Sequence, residues 1–189
     1  MFTVLIKSAM KSSINFSRSG IFAVLFALVL SASAVSAQRQ EPDTARPRLP
    51  DITLSTIGGE KWTLYENRGG VVLLNFWATW CEPCRTETPM LVKLADEYKE
   101  SGLKVFGVAL DENNSALVKK FAAEYKINYP ILVPEAGSPF FKMEEVPTTL
   151  LIDADGRLIK RYTGAMPESV LRDDLSKELK KSDKFDEPK

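Results

Sequence analysis

Two long apolar runs organise the chain. Val71 to Trp77 reads VVLLNFW, and Leu103 to Leu110 reads LKVFGVAL. Runs of this length suit strands buried on both faces of a sheet. Between them, Met90, Leu91, Leu94 and Tyr98 fall at helical spacing. This predicts a helix from Cys84 to about Ser101, ended by Gly102. Pro89 should kink it, because proline lacks an N–H and crowds the preceding turn. Ahead of the first run, Asp51 to Ile57 and Lys61 to Leu64 flank Gly58-Gly59. Paired glycines tolerate the positive φ of a tight turn, so this segment reads as a hairpin.

The second half follows the same logic. Asn113, Asn114 and Ser115 are good caps for a helix running to about Tyr125. Ile131 to Val133 suits a short strand. Thr148 to Ile152 and Arg157 to Tyr162 flank Asp153-Ala154-Asp155-Gly156, a second hairpin. Pro167 to Leu179 reads as a final helix, with Pro167 near its first turn. The order strand, helix, strand, helix, then hairpin and helix predicts an α/β domain with a mixed sheet over residues 51–181. Residues 38–50, with Pro42, Pro47 and Pro50, read as a linker, and the charged residues 182–189 as a loose tail.

The first 37 residues are an address. Lys7, Lys11 and Arg18 precede the apolar run Ile21 to Leu30, and no acid occurs among them. Val35-Ser36-Ala37 fits the small-x-small cleavage pattern of a secretory signal. The apolar run is about half of the roughly 20 residues that span a bilayer. An uncleaved anchor, lengthened by Ala32 to Ala37, is the alternative. Either way the folded part belongs outside the cytoplasmic membrane, and membrane contact is expected only if the segment stays uncleaved.

Composition narrows the chemistry. The 25 basic and 25 acidic residues balance, and without residues 1–37 the chain has 22 basic against 25 acidic residues, a net of about −3. There is no basic excess of the kind a nucleic-acid binder shows. The chain has no histidine. That excludes Ser/His and Cys/His nucleophile pairs and any His-ligated metal. Its two cysteines, Cys81 and Cys84, are too few for a structural zinc site. No cofactor and no metal are expected.

The cysteines lie in Trp77-Ala78-Thr79-Trp80-Cys81-Glu82-Pro83-Cys84, directly after the first apolar strand. Reactive groups in open α/β sheets lie beyond the carboxyl ends of strands. A sulfur at the start of a helix meets unpaired N–H groups and the dipole, which favour a thiolate. A second sulfur one turn on can attack a mixed disulfide and release the partner. Pro83 falls in the first turn, where its missing N–H costs little. As a staple the pair would do little, because so short a loop barely restricts the unfolded chain. Cys81 is therefore expected to attack and Cys84 to resolve. Trp77 reads as core, Trp80 as part of an exposed apolar rim, and Arg85 as a surface charge. By spacing alone, Glu87 is a helix-face acid one turn beyond Cys84, and Glu112 an acid at the end of the second long strand.

Taken in order, LLNFWATWCEPCRTETP, KVFGVALDE and VPTTLLID resemble the TlpA/ResA-like extracytoplasmic thiol–disulfide oxidoreductases of the thioredoxin superfamily. The likeness covers about residues 48–180. It implies a thioredoxin fold, a mixed central sheet flanked by helices, with an added N-terminal hairpin and an inserted helix–strand unit. It implies a cis peptide before Pro147, which would face the disulfide and turn the Val146 backbone toward a bound peptide. It makes Glu87 an active-site proton acceptor and Glu112 a second site carboxylate. Trp80, Glu82, Pro83, Val146 and Glu112 form the expected substrate-facing surface.

The expected function is reduction of disulfides in exported proteins, such as apocytochrome c, with electrons from a membrane thiol reductant. Glu82 and Glu87 disfavour an added negative charge near the thiols, no histidine offsets them, and Arg85 does so only partly. The alternatives are a general oxidant or isomerase of folding proteins, a peroxiredoxin-like peroxidase and a copper-binding module. The peroxidase would need a Pro-x-x-x-Thr-x-x-Cys site, and neither Thr79 nor Thr86 is so placed. The copper module would lack imidazole ligands.

Overall fold

The apolar runs become adjacent inner strands of a mixed sheet. The computed structural model describes residues 46–112, 114–136, 140 and 143–182. Its elements are β1 (Thr53–Thr56), β2 (Lys61–Thr63), β3 (Val71–Trp77), α1 (Glu82–Tyr98), β4 (Leu103–Ala109), α2 (Ser115–Glu124), β5 (Ile131–Val133), β6 (Thr148–Ile152), β7 (Leu158–Thr163) and α3 (Glu168–Ser182). The leader or anchor at residues 1–37, the start of the linker, Asn113 and residues 183–189 lie outside the described residues.

The seven strands order as β2-β1-β5-β4-β3-β6-β7. β3 pairs parallel with β4 and antiparallel with β6. The β1–β2 hairpin, turned at Gly59 with φ 91°, joins the sheet through β5. α2 and β5 form the helix–strand unit expected between the second apolar run and the last hairpin.

Alternation along β3 sends Val72, Leu74 and Phe76 to one face and Val71, Leu73 and Trp77 to the other. The second face is covered by Leu91 and Leu94 of α1 and by Leu171, Leu175 and Leu179 of α3. At its carboxyl end, Val118 and Phe121 of α2 pack with Trp77 and Ala109. Burial of each such side chain contributes roughly 1.5–3 kcal/mol before entropy is set against it.

Three boundaries differ from the sequence reading in ways that matter below. α1 begins at Glu82, ahead of Cys84, because Cys81 is its N-cap and its sulfur accepts the Cys84 N–H at 3.2 Å. Pro89 lies inside α1, as the sequence reading placed it. α3 continues past Leu179 to Ser182, where Glu178 pairs with Arg46 and Lys181. The last residues of the proposed linker are tied to the sheet. Leu49 N–H donates to the Gly156 carbonyl and Leu158 N–H to that of Pro47, each at 3.0 Å, and Arg48 bridges to Arg157.

Gly107 of β4 shows how tightly the sheet meets its cover. A Cβ there would sit 2.8 Å from Trp77 Nε1 and 3.1 Å from Tyr129 Cε2. Gly107→Ala should destabilise the fold by about 1–3 kcal/mol, the usual cost of overpacking. Denaturant titration checks this, and an unchanged midpoint would show that Trp77 and Tyr129 can yield.

Candidate active site

The chain leaves the carboxyl end of β3 at Trp77 and turns through Ala78, Thr79 and Trp80 into α1. Cys81 N–H returns to the Ala78 carbonyl at 3.1 Å, and Arg85 N–H to the Cys81 carbonyl at 3.3 Å. Cys81 and Cys84 form a disulfide with Cα atoms 5.3 Å apart. In this oxidised state both are buried, at 4% and 2% exposure, so burial does not distinguish them. Position does, since Cys81 caps the helix and Cys84 sits inside its first turn. Trp80 stands out at 66% exposure, with Glu82 and Pro83 exposed beside it, whereas Trp77 is core.

The Val146–Pro147 peptide is cis. Its loop is held by the Gly164 N–H, which donates to the Pro147 carbonyl at 2.8 Å, and by the Thr148 hydroxyl, which donates to the Glu145 carbonyl at 2.6 Å. Val146 packs against the cluster that contains both cysteines, Trp77 and Ala78. The structure thus brings the far-downstream Val146 to the apolar cluster that holds the disulfide.

Glu87 belongs to the buried stripe of α1, with Cys84, Thr88, Leu91 and Leu94. Its carboxylate accepts Asn75 Nδ2–H at 3.3 Å and the Met166 N–H at 3.1 Å. Asn75 also donates to Thr149 Oγ1 at 2.8 Å. Burial pushes the Glu87 carboxyl above its usual range and outweighs these two hydrogen bonds, which act the other way. Tyr129 is pushed up by its own burial and then by the Glu87 charge. Asn75 and Thr149 are absent from the sequence reading. The signal for Asn75 is present, as the lone polar residue in VVLLNFW.

Glu112 is exposed and lines a cavity of about 290 Å³ with Asp111, Ser115, Val118 and Val133, the last two of which border the apolar cluster that contains the cysteines. Its neighbour Asp111 is the acid that meets the active-site loop, accepting the Thr79 N–H at 3.0 Å and the Thr79 hydroxyl. Arg85 is exposed, as expected of a surface charge, and its Nε and Nη2 donate to the Thr79 carbonyl at 3.1 and 2.9 Å.

A dithiol or disulfide at a helix N-terminus, with an exposed aromatic beside it, is equipped for thiol–disulfide exchange. The comparisons agree. A model of the Redoxin family matches residues 44–177. The thiol-disulfide oxidoreductase ResA of Bacillus cereus is 30% identical over 165 residues, which cover 83% of this chain and 95% of that one. The thioredoxin-like protein YneN of Bacillus subtilis is 37% identical over 129 residues, 67% of this chain and 75% of that one. The crystal structure of StoA from Bacillus subtilis superposes with a TM-score of 0.56 at 28% identity, covering 67% of this chain and 98% of that one. With this fold, this disulfide and these relatives, the chain belongs to the Redoxin family and is a thiol–disulfide oxidoreductase of thioredoxin fold.

Proposed function

We propose that the protein works as a reductant of disulfides in exported proteins. One observation carries this reading: Glu87 is an acid buried one helical turn behind Cys84, and no lysine or arginine is buried among the described residues. A thiolate in that setting gains little beyond the helix N-terminus, and Arg85 is engaged with the Thr79 carbonyl. The less the reduced form is stabilised as thiolate, the more readily the pair gives up its electrons.

In this reading the Cys81 thiolate attacks one sulfur of the substrate disulfide, and the other leaves as a thiolate that takes up a proton. Cys84 loses its proton and attacks Cys81 Sγ. The mixed disulfide breaks, the second substrate sulfur leaves and is protonated, and Cys81–Cys84 closes. Two electrons have then passed to the substrate. Glu87 is the proposed acceptor of the Cys84 proton. Trp80, Glu82, Pro83 and the Val146 backbone form the surface against which the peptide lies. A membrane thiol reductant restores the dithiol.

The leader supports work outside the cytoplasmic membrane, where disulfides persist. Apocytochrome c, whose haem-site cysteines must be reduced before attachment, is the substrate proposed. Equilibration with glutathione buffers tests the direction of flow. The potential should lie nearer thioredoxin, about −270 mV, than DsbA, about −120 mV. A value at the oxidising end would overturn the reductant reading. Cys84→Ala expressed in its own compartment should hold the substrate as a mixed disulfide for identification.

A further inference from the structure

Thr79 is two residues ahead of Cys81 and only 3% exposed. Each of its polar groups is engaged. Its N–H and hydroxyl go to the two carboxylate oxygens of Asp111, and its carbonyl receives Nε and Nη2 of Arg85. Asp111 arrives on the parallel pairing of β3 and β4. Trp77 faces Ala109, and the Leu110 N–H donates to the Trp77 carbonyl at 2.8 Å, so the ladder continues beyond both strands. Thr79 then meets Asp111 at the same offset of 32 residues. Arg85 approaches from the other side, out of the first turns of α1. One loop residue is therefore gripped by the sheet and by the active-site helix at once. Cys81 follows in fixed relation to both, and Trp80, between the grip and the cysteine, is turned to solvent.

We propose that Asp111 and Arg85, acting through Thr79, are positioning residues that hold Cys81 and Trp80 in the geometry required for disulfide exchange. Exchange needs the attacking sulfur, the sulfur attacked and the leaving sulfur nearly in line. A loop free to shift by about 1 Å can forfeit up to a hundredfold in rate. Neither residue need touch substrate. The grip consists of hydrogen bonds, so its effect depends on donors and acceptors and not on the negative charge of Asp111.

The test is single-turnover reduction of a synthetic disulfide-bridged peptide by the reduced full chain, with maximal rate and half-saturating concentration measured separately. Asp111→Ala should lower the maximal rate about tenfold or more while leaving the half-saturating concentration nearly unchanged. Asp111→Asn should recover most of the loss. Its Oδ1 can accept the Thr79 N–H and its Nδ2 can donate to the Thr79 hydroxyl. A folded Asp111→Ala that reacts like wild type overturns the proposal. So does an Asp111→Asn as slow as Asp111→Ala, which would make charge the operative property. If Asp111→Ala does not fold, Thr79→Val decides. It keeps the side-chain shape and loses only the hydroxyl contact, and its maximal rate should fall about threefold or more with little change in melting temperature. An unchanged rate in that variant overturns the proposal.

Discussion

Cys81→Ser is expected to slow reduction of a disulfide-bridged peptide by about a thousandfold or more, since a serine hydroxyl is a far weaker acid and a far poorer nucleophile toward sulfur than a thiol. Cys84→Ser should behave differently. Its Cys81 can still attack, but nothing resolves the adduct, so the reaction stops at a mixed disulfide. The asymmetry rests on the cap geometry, because the sulfur of Cys81 receives the Cys84 N–H whereas Cys84 lies within the turn. Mass spectrometry of the two reduced variants after brief exposure to the peptide decides the order. The peptide should be found on Cys81 of Cys84→Ser, with little on Cys84 of Cys81→Ser. The opposite distribution would make Cys84 the nucleophile and reverse the proposed sequence of steps.

Glu87→Gln should have two effects of opposite character. The first concerns stability. Burial raises the Glu87 carboxyl in the folded state above its ordinary value of 4.5. Between those two values the folded state holds a proton that the unfolded state has lost, so wild-type stability falls as pH rises through the window. Glutamine is neutral throughout. It can still accept the Met166 N–H, and a turned Asn75 amide can accept from it. With the disulfide intact, the melting temperature of Glu87→Gln should rise relative to wild type as pH increases from about 4.5, then hold a constant lead. The second effect concerns reactivity. Removing a negative charge beside the thiols favours the thiolate, so the alkylation profile of reduced Cys81 should shift to lower pH. Superimposable melting and alkylation curves for the two proteins would make Glu87 a solvated acid with no part in the site.

The central strands were legible because VVLLNFW and its partner carry enough apolar residues to be buried on both faces. β3, β5 and β6 keep the boundaries expected for them. The disulfide pair was legible because its chemistry is local, set within one turn of one helix. Glu87 was half legible. Its place on the buried stripe follows from its spacing to Leu91 and Leu94, but the acceptance of the Met166 N–H comes from a loop 79 residues away. The grip on Thr79 was not legible. It depends on the register of two parallel strands, and a shift of one residue would have offered Glu112 in place of Asp111. Both acids line the same cavity beyond the strand end, but Asp111 is the one that accepts hydrogen bonds from the loop. Arg85 is exposed, as a helix-face charge should be, but its hydrogen bonds to the Thr79 carbonyl were not legible, because they depend on the path of the loop ahead of the helix.

The pairing of residues 47–49 with the β6–β7 hairpin bears on where the domain can carry a reporter group. Gly156 and Arg157 follow Ile152, which faces Val72 at the start of β3, whereas the disulfide follows Trp77 at its end. The intervening strand measures about 20 Å. Residues 47–49 thus lie near one end of β3, with the disulfide and Trp80 beyond the other. A reporter group coupled at Arg48 would sit far from the sulfurs and should leave the rate of exchange unchanged.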